Sequence, residues 1–424
     1  MKAAYYTLGC KVNQYDTQLM RDQLERLGYQ TVSFDEEADL YIVNTCTVTQ
    51  VSDKKSRQMI SKAKRNHPQS IIVVCGCFSQ VAPKAAAALE GVDIVLGTSN
   101  RKDIAAYIER FKADGKQIVE TDNCGTLEQE EITSFGEKNR AVLKIEDGCE
   151  NFCSYCLIPF ARGRIRSKPL EIILKETKTL VKAGFCEIVL TGIHLGSYGK
   201  ENGIPCLEKA INVVASVDGV QRIRLGSLEP RTITPAFLEH AKKLPNLCHH
   251  FHLSLQSGCN KTLRAMNRHY SAEEYEKAVQ LLRSTFPDCS VTTDIIVGFP
   301  GETEEDFKES MAFAERIGFA KIHIFPYSAR EGTRAASFPN QLSKAVKAER
   351  VNRMEEVEAQ GRLAFWKSMI GTEQKVLPEE EKDGFLHGFT ENYCPMRWKG
   401  VFRNEPVTLT IVDVDKVGLR AEEK

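Results

Sequence analysis

Short apolar runs alternate with amphipathic segments over residues 1–120. The runs are rich in β-branched and aromatic residues, which favours buried strands, and they read AAYYTL, LYIVNT, IIVV and IVLG. Between them lie segments with apolar residues at helical spacing, such as NQYDTQLMRDQLERLGY. This alternation predicts a parallel, doubly wound sheet, in which ligands bind beyond the carboxyl ends of the strands.

A second alternation begins at residue 139, after a polar, acidic and non-periodic stretch that predicts a linker over residues 121–138. Six strand candidates follow, separated by helical stretches: RAVLKIE, CEIVLTGIH, VQRIRLGSLEP, HHFHLSLQ, VTTDIIVGFP and KIHIFPYS. Six parallel units predict a partial (β/α)6 barrel with its site at the carboxyl ends of the strands.

The pattern changes again after a charged helical segment over residues 343–369. Short strands with turn residues between them then read TEQKVLPEEE, GFLHGFTENY and EPVTLTIVDV. They predict a small antiparallel β-barrel. The predicted fold class is therefore α/β, with domains over residues 1–120, 139–369 and 370–424.

Composition narrows the class of protein. Of the 424 residues 42% are hydrophobic, but no apolar run approaches the ~18 residues of a membrane span, and the N-terminus lacks a signal-peptide pattern. We therefore expect a cytoplasmic protein with no membrane partner. In a reducing compartment, 14 cysteines favour metal ligands and buried thiols over a disulfide framework.

The net charge is zero, but residues 53–65 are strongly basic. One acid, Asp53, is followed by a set of cations: Lys54, Lys55, Arg57, Lys62, Lys64 and Arg65. A solvated helix face explains such a segment, and so does a surface that follows nucleic-acid phosphates. The sequence leaves both interpretations open.

Three cysteines follow predicted strands of the first sheet. Cys10 comes after AAYYTL, Cys46 after LYIVNT and Cys77 after IIVV, so we expect their thiols to meet at one sheet edge. Cys75 continues the apolar run and is interpreted as a small hydrophobic strand residue. Gly76 ends the strand, so Cys77 emerges at the same sheet edge as Cys10 and Cys46. Of the two neighbouring cysteines, Cys77 is therefore the expected metal ligand.

The motif EDGCENFCSYC places Cys149, Cys153 and Cys156 after the first strand of the second alternation. Thiolates hold iron–sulfur clusters, and three of them leave one iron of a four-iron cluster open. A zinc knuckle is the alternative. Zinc needs a fourth ligand close by, whereas the next histidine, His194, is far along the chain.

These motifs resemble those of the radical S-adenosylmethionine methylthiotransferases. Tyr155 precedes Cys156 as an aromatic residue does in radical S-adenosylmethionine enzymes. Nearly the whole chain is covered, in the right order, by segments that look like the methylthiotransferase branch: TLGCKVNQYDT, NTCTVT, GCFSQ and CENFCSYCLIPFARGRIRS. LGCKVNQ and IPFARG are most similar to enzymes that act on N6-threonylcarbamoyladenosine in tRNA.

The resemblance implies two [4Fe-4S] clusters and S-adenosyl-L-methionine as cofactors. One cluster would be held by Cys149, Cys153 and Cys156, and an auxiliary, sulfur-carrying cluster by Cys10, Cys46 and Cys77. One S-adenosylmethionine would methylate that sulfur, and a second would yield the 5′-deoxyadenosyl radical that abstracts hydrogen from carbon 2 of the adenine. Such a radical route suits an unactivated C–H bond, and no catalytic side chain is expected beyond the clusters.

The resemblance also implies partners. They are the anticodon stem-loop of tRNA, modified at position 37, an external electron donor such as flavodoxin or ferredoxin, and a sulfur donor. The C-terminal barrel would be a TRAM RNA-binding domain. The target base is expected to be flipped towards the clusters, because chemistry on a base requires it to leave the stack.

Residues for cofactor binding are expected at strand ends, beside Tyr155. The candidates are Thr191, Gly192, Glu229, Gln256 and Gly298. Backbone amides near Thr191 and Gly192 could meet the methionine moiety, and the carboxylate of Glu229 could accept from an amine or a ribose hydroxyl. For the glycines, a tight turn between strand and helix is the alternative.

Candidate RNA contacts follow the second cysteine motif and recur in the C-terminal segment. They are Arg162, Arg164 and Arg166, and the aromatic residues Phe385, Phe389, Tyr393 and Trp398. A barrel core also needs aromatic residues, and core packing explains most of the four.

The sequence leaves two alternatives open. Within the same enzyme class, the substrate would be isopentenyladenosine in tRNA or an aspartate of a ribosomal protein. Outside it, the protein would bind RNA and use its cysteines for zinc or redox regulation. The number of thiols per site separates the two classes, since a closed zinc site needs a fourth ligand.

Overall fold

The structure is a computed structural model that describes residues 1–47, 50–121, 127, 132 and 139–422, without the side chains of residues 50–53. The predicted linker over residues 121–138 therefore lies largely outside the described residues. Within it, Leu127 and Ile132 are buried. No helix in the described part of the chain is both long and apolar enough to cross a membrane.

The N-terminal domain is a six-stranded parallel sheet with helices on both faces. Its strands are β1 (Lys2–Thr7), β2 (Gln30–Val32), β3 (Leu40–Thr45), β4 (Ile71–Gly76), β5 (Ile94–Leu96) and β6 (Ile118–Glu120). Its helices are α1 (Lys11–Arg26), α2 (Gln50–Asn66), α3 (Cys77–Val81), α4 (Pro83–Ala87) and α5 (Ile104–Asp114). Alternate strand residues feed two apolar clusters, with Ile42 and Val73 on one face and Tyr41 and Val74 on the other. The doubly wound sheet is thus confirmed.

The strand order explains where this domain places ligands. The order is β2-β1-β3-β4-β5-β6, so that the chain reverses direction across the sheet between β1 and β3. A crevice forms at such a switch point, beyond the carboxyl ends of the strands. Cys10 follows β1 and Cys46 follows β3. The two cysteines therefore flank the crevice.

The central domain contains the six predicted parallel strands. They are β7 (Arg140–Lys144), β10 (Glu187–Thr191), β11 (Arg222–Leu225), β12 (His250–His252), β13 (Ser290–Val297) and β14 (Lys321–Pro326), with a short antiparallel pair of β8 (Glu146–Asp147) and β9 (Arg166–Ser167). The helices are α6 (Ile158–Arg162), α7 (Leu170–Lys182), α8 (Leu207–Ala215), α9 (Pro235–Ala241), α10 (Asn260–Ala265), α11 (Ala272–Thr285), α12 (Glu304–Ile317) and α13 (Lys344–Ser368).

These strands form a partial barrel in two halves, β7-β10-β11 and β12-β13-β14, connected by a parallel bridge between Leu228 and Leu253. Residues that face the helices are apolar, such as Leu190 and Phe251. The opposite face of the strands carries polar residues, including Arg224 and Asp294. We call the space enclosed by this polar face the lumen.

A closed five-stranded barrel follows α13. Its strands are β15 (Glu373–Lys382), β16 (Phe385–Thr390), β17 (Pro395–Trp398), β18 (Val407–Val414) and β19 (Leu419–Glu422), in the order β15-β16-β17-β19-β18. The predicted barrel is confirmed, although β17 and β19 pair in parallel. The hydrophobic pattern does not reveal these two strands, because each has only four residues.

Two buried arginines hold this barrel against the amino ends of the central strands. Arg222 donates to the carbonyl oxygens of Phe389 and Thr390, and Arg224 to those of Thr390 and Glu391. Both guanidinium groups bind Glu187, at 2.9 and 2.8 Å. Burial opposes the charge of Glu187, but the two arginines outweigh it and bring the pKa of Glu187 to about 2.

Gly76 gives a test of the turn that presents Cys77. Its φ is +96°, and a Cβ there would lie 2.4 Å from Asn44 Oδ1 and 2.5 Å from the carbonyl oxygen of Thr45. Gly115 has a φ of +64° with open space around it. We expect Gly115→Ala to cost about 1 kcal/mol from backbone strain alone, and Gly76→Ala about 3 kcal/mol because a clash adds to the strain.

Thermal unfolding followed by circular dichroism measures both costs. Equal melting temperatures for the two variants would contradict the packing described around Gly76.

Candidate functional site

The three cysteines of the N-terminal domain converge at the carboxyl ends of β1, β3 and β4. A Cβ on Gly9 would lie 2.9 Å from Cys46 Sγ, so the loop before Cys10 rests against Cys46. Burial raises the pKa of the Cys77 thiol, the charge of Arg162 opposes this rise, and the nearby Cys10 adds to it. Cys46 and Cys77 are buried, whereas Cys10 is exposed. The structure therefore brings the predicted first set together.

The neighbouring residues Cys75 and Cys77 lie in different environments. Cys75 lies within β4, fully buried, with its Sγ 3.8 Å from Met20 Sδ. Burial raises the pKa of the Cys75 thiol to about 12. Cys77 is the first residue of α3, and Arg162 Nε donates to its Sγ at 3.4 Å. Cys75 is thus packed in the sheet, as its place in the apolar run predicts.

The second set lies in the loop between β8 and α6. Arg268 Nη1 donates to Cys153 Sγ at 3.2 Å, and the amide of Ile158 donates to Cys156 Sγ at 3.4 Å. Burial, followed by repulsion from Cys153, raises the pKa of the Cys156 thiol to about 12. Thiols bind metals as thiolates, so metal binding at this set would release protons.

The donor chemistry of both sets fits an iron–sulfur cluster better than a single zinc ion. A tetrahedral zinc with Zn–S bonds of about 2.3 Å requires sulfurs roughly 4 Å apart. Among the described residues, the group whose ligand atoms all lie within 4.8 Å of one another is His252, Asp294 and His323. Neither cysteine set is that compact. Each set offers three thiols, which leaves one iron of a four-iron cluster open.

Glu229 lies beside the second set in a net of donors. Its Oε1 accepts from Asn151 Nδ2 and Arg268 Nη2, both at 2.8 Å, and its Oε2 lies 3.2 Å from His194 Nε2. Burial opposes the charge of Glu229, but the hydrogen bond from His194 and the charge of Arg268 bring its pKa to about 2. Glu229 therefore presents a carboxylate at every physiological pH.

Thr191 ends β10, and Gly192 follows it and packs against Glu146 of β8. A Cβ on Gly192 would lie 2.5 Å from Oε2 of Glu146, a buried acid that also accepts from the amide of His194 at 2.8 Å. Burial raises the pKa of Glu146 well above its usual value. Close packing against Glu146 thus accounts for glycine at position 192, while its cofactor role remains a prediction.

The other three candidates occupy different positions. Gln256 is buried with a φ of +71°, and its amide donates to the carbonyl oxygen of Asp294. Gly298 donates its amide to Glu302 Oε2 at 2.7 Å. Tyr155 packs edge-on against Phe299, with ring centroids 6.4 Å apart. The Gly298 amide is already bonded within the chain, and contact of these residues with a cofactor remains a prediction.

Arg162 has a role that differs from the expected one. It is fully buried between the two domains, where Nη1 bonds Asp16 Oδ2 and Asp147 Oδ2, each at 2.9 Å. The interpretation of Arg162 as an RNA contact is therefore wrong. Of its two predicted companions, Arg164 is exposed and Arg166 is half-buried near Asp147.

Arg268 is a site residue that sequence reasoning missed. It lies 115 residues after Cys153 along the chain, yet it bonds the Cys153 sulfur and Glu229. No local pattern marks it, because its importance comes from the loop after α10 folding back over the cysteines.

The basic segment faces a large cavity between the N-terminal and central domains. The cavity has a volume of about 1910 Å³, and its lining includes a set of cations: Lys54, Arg57, Lys62, Arg65, Lys84 and Arg330. Phe160 lines it as well, 58% exposed, and its ring lies 6.0 Å from that of the exposed Phe152. Two exposed aromatic rings beside a positive surface are typical of sites that bind unpaired nucleotides.

The four aromatic candidates of the C-terminal barrel have mostly structural positions. Trp398 is buried in the barrel core. Phe389 and Tyr393 stack with centroids 4.8 Å apart, and Arg140 of the central domain lies over both rings. Phe385 is half-buried and has Arg397 and Lys399 near its ring. Core packing and domain docking thus explain three of the four.

Comparison with known proteins agrees with this geometry. Residues 2–97 match the family described as "Uncharacterized protein family UPF0004", and residues 143–314 match the "Radical SAM superfamily". The chain is 39% identical to the threonylcarbamoyladenosine tRNA methylthiotransferase MtaB of Bacillus subtilis (strain 168), with 94% of this chain and 90% of the relative covered. It is 40% identical to the protein of the same name from Thermotoga maritima, with 93% and 90% covered.

This chain belongs to the radical S-adenosylmethionine tRNA methylthiotransferase family. It is therefore an enzyme that methylthiolates tRNA, which removes the alternative of a non-enzymatic zinc protein. Membership implies S-adenosylmethionine and a [4Fe-4S] cluster as cofactors. The tRNA-2-methylthio-N(6)-dimethylallyladenosine synthase of Moorella thermoacetica is also similar, at 38% identity over 88% of this chain and 86% of the relative.

A likeness in fold extends to solved structures. The radical S-adenosylmethionine methyltransferase TsrM of Kitasatospora setae superposes with a TM-score of 0.60 at 14% identity, covering 79% of this methylthiotransferase and 77% of that chain. At this identity the match shows the fold alone.

The adjacent cysteines provide a matched test of the first set. If each set holds a four-iron cluster, we expect anaerobically reconstituted enzyme to hold about eight irons per chain, and Cys77→Ala to hold about four because one cluster loses a ligand. Cys75→Ala should keep about eight, since Cys75 packs inside the sheet. Iron and sulfide analysis checks this. Loss of iron from the Cys75 variant alone would show that the two residues have the opposite roles.

Proposed function

We propose that this methylthiotransferase modifies carbon 2 of N6-threonylcarbamoyladenosine at position 37 of tRNA, next to the anticodon. In this proposal Cys149, Cys153 and Cys156 bind the radical cluster. Cys10, Cys46 and Cys77 bind a second four-iron cluster that carries the sulfur. When bound, the two clusters and S-adenosylmethionine supply the hydrogen-abstracting radical and the sulfur.

The observation that carries the proposal is the presence of two incomplete thiol sets in one contiguous region. Arg162 follows Cys156 by six residues and donates to Cys77. The intervening helix α6 has five residues and rises about 8 Å. A substrate atom between the two sets could therefore be reached from both.

The chain's own residues hold and orient the reactants in this scheme. Arg268 and Arg162 place a cation beside one sulfur of each set, which offsets the negative charge of thiolate-bound clusters. Glu229, kept ionised by its neighbours, is suited to accept from the S-adenosylmethionine amine or ribose. Thr191, Gly192, Tyr155, Gln256 and Gly298 remain proposed contacts of that cofactor.

Support for the threonylcarbamoyl substrate comes from the relatives. Three relatives at 38–40% identity bear that substrate in their names. The dimethylallyl-type synthases are the second candidate, because they reach 38% identity as well. We further propose that a flavodoxin- or ferredoxin-like donor and a sulfur donor act on the enzyme. The C-terminal barrel would bind RNA as a TRAM domain.

Nucleoside mass spectrometry tests the substrate directly. We expect tRNA from a strain that lacks this enzyme to contain N6-threonylcarbamoyladenosine in place of its 2-methylthio derivative. Re-expression should restore the derivative. Persistence of the derivative in a strain with no second enzyme for it, or loss of the isopentenyl product instead, would contradict the proposed substrate.

Helix α2 gives a test of the RNA surface. Arg57 and Arg65 line the cavity with no ion pair to the described residues. We expect the double change Arg57→Ala and Arg65→Ala to weaken tRNA binding. The slope of the logarithm of the binding constant against the logarithm of salt concentration should fall in magnitude by about 2, since two phosphate contacts are lost.

Lys242→Ala with Lys243→Ala is the matched control. Both lysines are exposed and outside the cavity, so this variant should bind like the unchanged enzyme. The affinity of both variants for tRNA, measured between 50 and 300 mM salt, tests this expectation. An unchanged slope in the α2 variant would remove α2 from the interface.

A further inference from the structure

A cluster of cations closes the lumen at the end opposite the second cysteine set. We call it the basic floor and define it as Lys11, Arg140 and Arg224, arranged around the ring of Tyr393. Lys11 Nζ lies 5.8 Å from the ring centroid, and the guanidinium carbons of Arg140 and Arg224 lie 5.2 and 4.5 Å from it. The four residues come from three domains, so the floor forms only in the assembled chain.

Two of these cations are already neutralised. Arg224 bonds Glu187 and the carbonyl oxygens of the C-terminal barrel, and Arg140 lies 3.1 Å from Glu379. Lys11 has no hydrogen bond or ion pair to any described residue. It is half-buried, and buried charges in proteins are normally paired. The floor therefore carries an uncompensated positive charge that faces the lumen.

The position of Lys11 connects the floor with the chemistry. Lys11 directly follows Cys10, so its ammonium lies within one side-chain length of the first cysteine set. The lumen above is accessible, since the side chain of Asp294 is 29% exposed and His323 is exposed. Asp294, an acid of the lumen wall, lies 3.3 Å from His252. An adenine whose carbon 2 is near Cys10 has its N6 substituent a few bonds away, within reach of the floor.

We propose that Lys11, supported by Arg140 and Tyr393, binds the carboxylate of the threonyl group and thereby selects N6-threonylcarbamoyladenosine over isopentenyladenosine. This inference rests on the proposed function. The threonylcarbamoyl group ends in a carboxylate, whereas the isopentenyl group is a hydrocarbon that cannot pair with an ammonium. Without the carboxylate, the charge of the half-buried Lys11 stays unpaired, and such a loss lowers affinity about 30-fold.

The test uses anaerobically reconstituted full-length enzyme and three anticodon stem-loop RNAs. They carry N6-threonylcarbamoyladenosine, isopentenyladenosine or adenosine at position 37. We expect the unchanged enzyme to bind the first RNA most tightly. Lys11→Met should weaken that binding about 30-fold and leave binding of the adenosine stem-loop unchanged. Lys11→Arg should keep most of the preference, because it keeps the charge.

Two measurements separate recognition from damage to the neighbouring cluster. Iron content and the electron paramagnetic resonance spectrum of Lys11→Met should equal those of the unchanged enzyme. Arg140→Met, far from Cys10 in the chain, is the second variant and should lower the preference in the same direction. Lys242→Met is the control for loss of a surface charge and should bind all three RNAs as before.

The outcomes distinguish this inference from the proposed function. If Lys11→Met and Arg140→Met both keep the preference for threonylcarbamoyladenosine, the inference is wrong and the proposed substrate stands. If the unchanged enzyme prefers and modifies the isopentenyl stem-loop, the proposed substrate itself is wrong, whatever the variants do.

Discussion

A buried charge cluster between the N-terminal and central domains holds the two cysteine sets in register. Asp16 of α1 bonds Arg101 at 2.9 Å and Lys144 at 2.7 Å, and it shares Arg162 with Asp147. All five side chains are nearly inaccessible to solvent. Burying so many charges is favourable only when every partner is in place, since removal of one costs about 3–5 kcal/mol. The cluster therefore allows one arrangement of the two domains.

The same charge cluster also contacts the first cysteine set. The guanidinium of Arg162, which bonds Asp16 and Asp147 through Nη1, also donates to Cys77 Sγ through Nε. A second polar contact reinforces the junction, where Lys168 bonds the hydroxyl of Tyr15 at 2.6 Å. The domain junction and the sulfur environment thus share a residue. Loss of Arg162 would affect both at once.

Much of the architecture could be predicted from the sequence because it follows from local periodicity. Apolar runs in the sequence predict the six central strands and the doubly wound sheet. The position of Cys75 within such a run predicts its burial. Three-residue strands such as β2 and β6 carry too few residues for a period and were missed. The roles of Arg162 and Arg268 could not be predicted, because their partners are distant in sequence. A buried charged residue also gives no local sequence pattern. The polar lumen could not be predicted either, since the alternation of apolar and polar residues along a strand does not show which face of the sheet is enclosed.

The central claim is that the interdomain charges place both cysteine sets beside one substrate position. Magnetic coupling between the two proposed clusters tests it most directly. Dipolar coupling falls with the cube of distance. We predict that the fully reduced enzyme gives a broadened, fast-relaxing electron paramagnetic resonance signal that differs from the sum of the spectra of Cys77→Ala and Cys153→Ala. A spectrum equal to that sum would show two isolated clusters and contradict the account.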